Sequence, residues 1–375
     1  MGKVWLAGIR LTCVGVICIG ISAGAPAQIV VGQTAGFTGP VAAGVKETTD
    51  GAKLYIDSIN ERGGINGQKI ELVSLDDKFD PKLAGANART LVTEKRAVAL
   101  FLTRGTPHSE AILPVLEEFR VPLVAPSTGA MVLHAPIQRW VFNVRSTYQR
   151  ESEKAVALLK AIGVTNIGVV HVEDSFGKDA MAGAKAGFEA GELKPAFVLK
   201  YDRAKPDFAE LVTSARLTTP QAVMAFGSGV HVADAQKALR AAGSRAQVVT
   251  LSNNASSGFV KGLGDNARGT IVTQVFPNER SISSALVKEA LTLMRAKGGS
   301  ELSPAMLEGY AAAKVLVEGL RRAGVSPTGE KIRAALETIR NHDIGGMEVS
   351  FSPTDHTGLD FVDLSIISKD GKFTR

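Results

Sequence analysis

Between residues 29 and 274 the chain alternates short β-branched and aliphatic runs with longer stretches of helical period, and the alternation begins twice. A strand, an amphipathic helix and a second strand close most simply as a parallel unit, because the crossover helix must bury its apolar stripe against the sheet. In the first set, 29–32 opens a strand and 41–61 follows as a helix whose Val45, Thr48, Ala52, Ile56 and Ile59 recur every three or four positions. Gly63, Gly64 and the Asn66-Gly67 pair stop that helix and turn the chain into a strand over 70–75. The spacing then predicts helix 81–96, strand 97–103, helix 109–119, and strands 122–125 and 140–144. The first set goes on with helix 150–162 and strand 166–172, and a second set follows: helix 178–190, strand 196–201, helix 207–217, strand 222–226, helix 231–242, and strands 247–251 and 269–274. Helices over 281–298, 303–324 and 327–339 and a hairpin over 361–373, turning at Lys369–Lys372, complete the chain.

With 375 residues the chain exceeds what one core usually organises, so the two sets are expected to be two α/β lobes, each a doubly wound parallel sheet. No Pro- or Ser-rich linker lies between them, which points to several short crossings rather than a tether. A 45% hydrophobic and 21% charged composition excludes a disordered chain.

At the N-terminus, Lys3 and Arg10 flank an uncharged apolar stretch from Leu11 to Ile21, and Ala23-Gly24-Ala25-Pro26-Ala27 offers small residues for cleavage. The stretch is too short to span a bilayer, so residues 1–27 are expected to be a secretory signal, with the exported chain starting near Gln28. Cys13 and Cys18 fall inside it, leaving the mature chain without disulfides or Cys-ligated metal, and neither sits in a lipid-attachment box. Losing Lys3 and Arg10 takes the formal charge from +6 to +4, with no run of five basic residues, so a nucleic-acid partner is not expected.

No G-x-G-x-x-G, P-loop, H-E-x-x-H or G-x-S-x-G motif is present, and the six histidines form no i, i+4 pair. Neither catalysis nor a cofactor or metal is therefore expected; His171, Asp174 and His231 are the weak candidates an enzyme would have to use. What remains is a set of strand ends opening into small polar turns: 34–40, 104–109 and 126–130. In a doubly wound sheet ligands sit beyond the carboxyl ends of strands, where hydroxyls and backbone N–H groups can approach a carboxylate. Each turn alone could be no more than a helix cap; three on one edge favour a ligand.

Several stretches resemble a known family. Gly39-Pro40-Val41-Ala42 opens a helix, Asn60-Glu61-Arg62-Gly63-Gly64-Ile65-Asn66-Gly67 closes it, and Asp76-Asp77 and Asp80-Pro81 follow the second strand. Together with 170–178, Leu239–Gly243, Phe351-Ser352-Pro353 and Asp370–Phe373, they are similar to the leucine/isoleucine/valine-type periplasmic binding proteins of ABC transporters, along nearly the whole mature chain. The resemblance implies a type I clamshell that closes on a small ligand, usually an amino acid, and delivers it to a membrane permease. It implies a lobe of 28–145 plus 276–342, a lobe of 146–275 plus 343–375, and a monomer. A ligand-sensing role on the same scaffold stays open, because sequence does not separate the two.

By position, the resemblance makes Thr106 a carboxylate-binding hydroxyl, with Ser127, Thr128 and Gly129 as the turn holding the same group. Phe176 falls where the family often has a tyrosine, and Phe276 where a cleft aromatic is often found. The family's glutamate for the ligand ammonium falls near Ser252-Asn253-Asn254, of which none is acidic; Ser252 is taken as the contact. A hydroxyl is also missing at Gly129, and Gly44 stands where an aromatic often packs on the ligand. The ligand is then either a carboxylate lacking the amine, or an amino acid whose ammonium meets Asp174 or Glu173 instead.

Overall fold

The computed structural model describes residues 1–3 and 28–374, so the body of the expected signal and both cysteines lie outside the described residues. The first sheet is wholly parallel, in the order β2-β1-β3-β4-β5, with β1 (Ile29–Ala35), β2 (Ile70–Asp76), β3 (Ala99–Phe101), β4 (Leu123–Val124) and β5 (Val141–Phe142). Its strands β3, β4 and β5 are apolar on both sides because helices cover both faces. Val31, Ala99, Phe101, Val124 and Phe142 enter one core, while Leu100, Leu123 and Val141 enter another with α2 (Pro81–Thr93) and α3 (Thr106–Phe119). The first core also takes α1 (Ala42–Glu61), whose Ala52, Ile56 and Ile59 point inward as their spacing predicts.

The second lobe repeats the plan. It carries α4 (Tyr148–Ala161), β6 (Ile167–Val172), α5 (Ser175–Ala190), β7 (Phe197–Tyr201), α6 (Ala209–Thr218), β8 (Ala222–Phe226), α7 (Gly229–Ala241), β9 (Gln247–Thr250), α8 (Ser257–Leu263) and β10 (Ile271–Gln274). Its parallel strands run β7-β6-β8-β9-β10, the same relative order as in the first lobe. The chain then returns to the first-lobe core with α9 (Ala285–Ala296), α10 (Pro304–Ala323), α11 (Gly329–Leu336) and the small hairpin β11 (His342–Asp343) and β12 (Glu348–Val349). It crosses once more to add β13 (Asp363–Ile367) antiparallel to β10 and β14 (Phe373–Thr374) antiparallel to β13. Three crossings result: between β5 and α4, between β10 and α9, and before β13.

Three local differences from the expected pattern have physical causes. Helix α3 begins at Thr106 rather than 109, because Gly105 takes φ 96° and Pro107 suits a first helical turn. Helix α5 begins at Ser175, where the Asp174 carboxylate accepts the Gly177 N–H at 3.0 Å. Residues 343–359, expected in the second lobe, instead give Ile344, Val349, Phe351 and Leu359 to the first-lobe core.

Helices α1 and α10 cross with their backbones nearly touching. A Cβ added at Gly309 would stand 1.8 Å from the Thr48 carbonyl oxygen, and one at Gly51 would stand 1.9 Å from that of Met306. Backbone cannot yield as a flexible side chain does, so Gly309→Ala is expected to lose about 1–3 kcal/mol of stability by overpacking. Urea unfolding checks this, and a change below about 0.5 kcal/mol would contradict so close a crossing.

Candidate functional site

The carboxyl ends of both sheets face each other across the gap between the lobes. From the first lobe come the turn after β1, the segment after β3 and the turn after β4; from the second come Gly227–Val230 after β8 and the short turn Ser252–Asn254 after β9. Arg104 is placed by an isolated parallel bridge to Ser127 that prolongs the β3–β4 pairing, and Gly39, at φ 86°, turns the chain into α1.

The lobes meet across this gap. Arg104 Nη2 donates to the Asn253 carbonyl, and the Glu47 carboxylate accepts the N–H groups of Ser257 at 3.0 Å and Gly258 at 2.8 Å. Ser175 Oγ donates to Glu110 Oε2 at 2.5 Å, and the Arg203 guanidinium lies 5.1 Å from the centre of the Phe79 ring. Two cavities remain between them. The larger, about 270 Å³, runs from Gly39–Gly44 and Arg104 to Val230, Asn253, Ser256 and Phe259. The smaller, about 20 Å³, is lined by Phe79, Thr106, Tyr148, Phe176, Arg203 and Ser228. Val41, Arg104 and Asn253 line both.

Of the residues singled out from the sequence, Thr106 and Phe176 line the smaller cavity. The buried Thr128 hydroxyl lies 2.9 Å from that of Thr106, and Phe176 packs edge-on against Tyr148 at 4.9 Å. Ser127 is turned away: its hydroxyl accepts from Arg104 Nη1 at 3.0 Å and donates to Glu308 Oε1 at 2.8 Å. Gly129 offers its backbone to the first crossing, where its carbonyl accepts the Tyr148 N–H at 2.8 Å, and a Cβ there would stand 2.5 Å from the Ser146 carbonyl oxygen. The hydroxyl missing at this position therefore has no room. Ser252 lines neither cavity; its hydroxyl accepts from Arg145 Nη2 at 2.7 Å and its N–H donates to Glu151 Oε2 at 2.9 Å. Phe276 is buried in the first-lobe core and lines neither cavity, because the second crossing turns it inward.

Arg145 and Glu151, 2% and 0% exposed, form an ion pair beneath the cleft. Glu151 also accepts from Thr273 Oγ1, Arg145 Nη1 stands 4.0 Å from Glu308 Oε1, and the Arg145 guanidinium lies 4.6 Å over the Tyr148 ring. The substitutes suggested for an ammonium partner are engaged elsewhere. Asp174 caps α5 and pairs with Arg203 at 2.6 Å, and Glu173 faces Lys200 at 3.4 Å on the surface. His171 Nδ1 is bonded to the Val172 carbonyl at 2.9 Å, His231 packs edge-on against Tyr201, and neither lines a cavity. His108, stacked on Phe79 at 4.2 Å, is pushed down to about 4 by burial, so its imidazole is uncharged at neutral pH. Among the described residues no three His, Cys, Asp or Glu side chains are grouped to hold a metal ion.

Residues 28–371 match the periplasmic binding protein family. The chain belongs to that family. A leucine/isoleucine/valine-binding protein homologue of Brucella melitensis is 29% identical over 330 residues, 85% of each chain. The crystal structure of a substrate-binding periplasmic protein from Ralstonia solanacearum superposes with a TM-score of 0.84 at 32% identity, covering 92% of this chain and 99% of that one. A possible leucine/isoleucine/valine-binding protein from Rhodopirellula baltica gives 0.86 at 25% identity, covering 93% and 96%. The chain is thus a periplasmic binding protein of the leucine/isoleucine/valine type, a binding protein and not an enzyme, with the two-lobed fold of type I members. Arg104 and Val41, which line both cavities, are among the cleft residues that the sequence does not single out, as are Phe79, Tyr148, Arg203 and Phe259. Arg104 was visible in the turn after the third strand, but hydroxyls and glycines drew the reading there.

Proposed function

We propose that the protein is a periplasmic solute receptor that binds a small carboxylate-bearing ligand, an amino acid or related organic acid, between its lobes and delivers it to the permease of an ABC transporter. The observation that carries this is the 270 Å³ cavity walled by both lobes at the carboxyl ends of both sheets. Drug-sized ligands occupy roughly 300–1,000 Å³, so the space suits something smaller. The protein acts as a monomer, and its two lobes close on the ligand about the three crossings. Thr106, backed by Thr128, supplies a hydroxyl to the carboxylate from the smaller cavity, which adjoins the larger one at Val41, Arg104 and Asn253, and Phe176 closes the second-lobe side there.

A thermal-shift screen of amino acids and organic acids identifies a ligand, since one at 100 times its Kd stabilises by about 2.7 kcal/mol. Loss of uptake of that ligand on deleting the gene supports delivery; unchanged uptake with loss of a ligand-triggered response favours sensing instead. Calorimetry on Thr106→Val is expected to show Kd raised about ten- to a hundredfold, the range for a hydrogen bond to a charged group, with Thr106→Ser close to wild type. Binding of Thr106→Val at wild-type strength would remove Thr106 from the site.

A further inference from the structure

Arg104 is only 6% exposed, yet no carboxylate of the described residues lies within ion-pair distance of it. Its two hydrogen-bond partners, Ser127 Oγ and the Asn253 carbonyl, are neutral, which leaves further N–H donors of its five unassigned. Arg145, equally buried, shows the usual arrangement, with Glu151 bonded to it and Glu308 at 4.0 Å. The nearest carboxylate linked to Arg104, Glu308, reaches it only through the Ser127 hydroxyl and is shared with Arg145, and a buried guanidinium without a carboxylate of its own is costly unless an anion arrives to meet it. Arg104 is also the only charged residue among the described residues lining the larger cavity. Space for an anion lies beside it: Gly44 has no side chain, and a Cβ there would stand 3.6 Å from Arg104 Nη2.

Resting on the receptor reading above, we infer that Arg104 is the anion anchor of the cleft and that the ligand is an apolar carboxylate without an α-ammonium group. The side chains of Pro40, Val41, Val230 and Phe259 give the cavity an apolar wall for the body of such a molecule. The acceptors in that wall, on Asn253, Asn254 and Ser256, are neutral, and the Glu47 carboxylate behind Gly258 is taken up by the Ser257 and Gly258 N–H groups, so an ammonium would lose its hydration without gaining a counter-charge of its own and would lie near a second cation. The guanidinium fork fits a carboxylate in bidentate fashion, and its bond to the Asn253 carbonyl carries the same contact to the second lobe. Binding of the acid and closure of the lobes are thereby joined at one side chain.

The test is calorimetry on the mature protein with two matched series that differ only in the head group: 4-methylpentanoate, leucine and 4-methylpentanamide; and 3-phenylpropanoate, phenylalanine and 3-phenylpropanamide. In at least one series the acid is expected to bind ten times or more tighter than its amino acid and its amide. Arg104→Gln is expected to lose that advantage by ten- to a hundredfold, with Arg104→Lys retaining part of it. Gly44→Leu, which fills the space while keeping the Arg104 charge, is expected to lose it as well; circular dichroism and melting temperature verify that each variant folds. An amino acid binding as tightly as its acid overturns the ligand class while leaving the receptor reading intact. Unchanged acid binding by Arg104→Gln overturns the anchor. Binding of none of the six probes overturns the inference too, and the receptor reading falls with it only if a broad solute screen also finds no ligand.

Discussion

Replacing Glu151 by Gln is expected to cost about 3–5 kcal/mol of folding stability, the range for removing one partner of a fully buried ion pair. Gln keeps the shape of the side chain but leaves Arg145 with Glu308 at 4.0 Å as its nearest carboxylate. The loss falls on the first crossing and the second lobe, because Glu151 joins Arg145 on that crossing to the Ser252 N–H and to Thr273 on β10. Urea unfolding of the full mature chain measures it. The double variant Arg145→Met with Glu151→Leu, which removes both charges of the pair, should lose less than the single one, since the charge it leaves, Glu308, keeps its bond from Ser127 and through it the link to Arg104. A Glu151→Gln variant within about 1 kcal/mol of wild type would mean that the pair is dispensable.

The second large effect has the opposite sign. Glu279, on the crossing between β10 and α9, is 4% exposed with Oε2 unpartnered, and burial pushes its carboxyl from an ordinary 4.5 up to about 7, against the weaker pull of Arg280 and Lys372. Between pH 4.5 and 7 the folded protein therefore holds a proton that the unfolded chain releases, and stability falls as pH rises through that window. At 1.36 kcal/mol per pH unit the cost above pH 7 is about 3 kcal/mol. Glu279→Gln should recover an amount of that order at pH 8 and almost none at pH 4. Equal effects at the two pH values would show that the carboxyl titrates alike in the folded and the unfolded chain.

The parallel units were legible because β-branched runs and three-to-four spacing are local signals. The burial of Val45, Ala52, Ile56 and Ile59 in α1 follows directly from their positions. Helix α8, seven residues with glycines at 258 and 262, and the two-residue strands β11 and β12 carry too little pattern to be read that way. The site was less legible for a different reason. Whether a polar residue faces a cleft or a buried partner depends on what distant elements bring to it. Ser252 belongs to a polar strand-end turn, as a ligand contact would, but Arg145 and Glu151 reach it from more than a hundred positions away. Arg104 reads as an ordinary solvated charge until the second lobe covers it.

The first-lobe core is assembled from two stretches of chain, Ile29 to Val144 and Val275 to Leu359, with most of the second lobe encoded between them. As the chain emerges from its N-terminus, α10 follows β5 only after everything from α4 to β10 has appeared. During that interval α2 and α3 can cover one side of the first sheet, while Val31, Phe101, Val124 and Phe142 on the other side still lack Tyr310, Leu316 and Leu320. The second lobe, continuous from α4 to β10 apart from its edge hairpin, has its main core in hand first. The half of the molecule that is written first is therefore the half that finishes last.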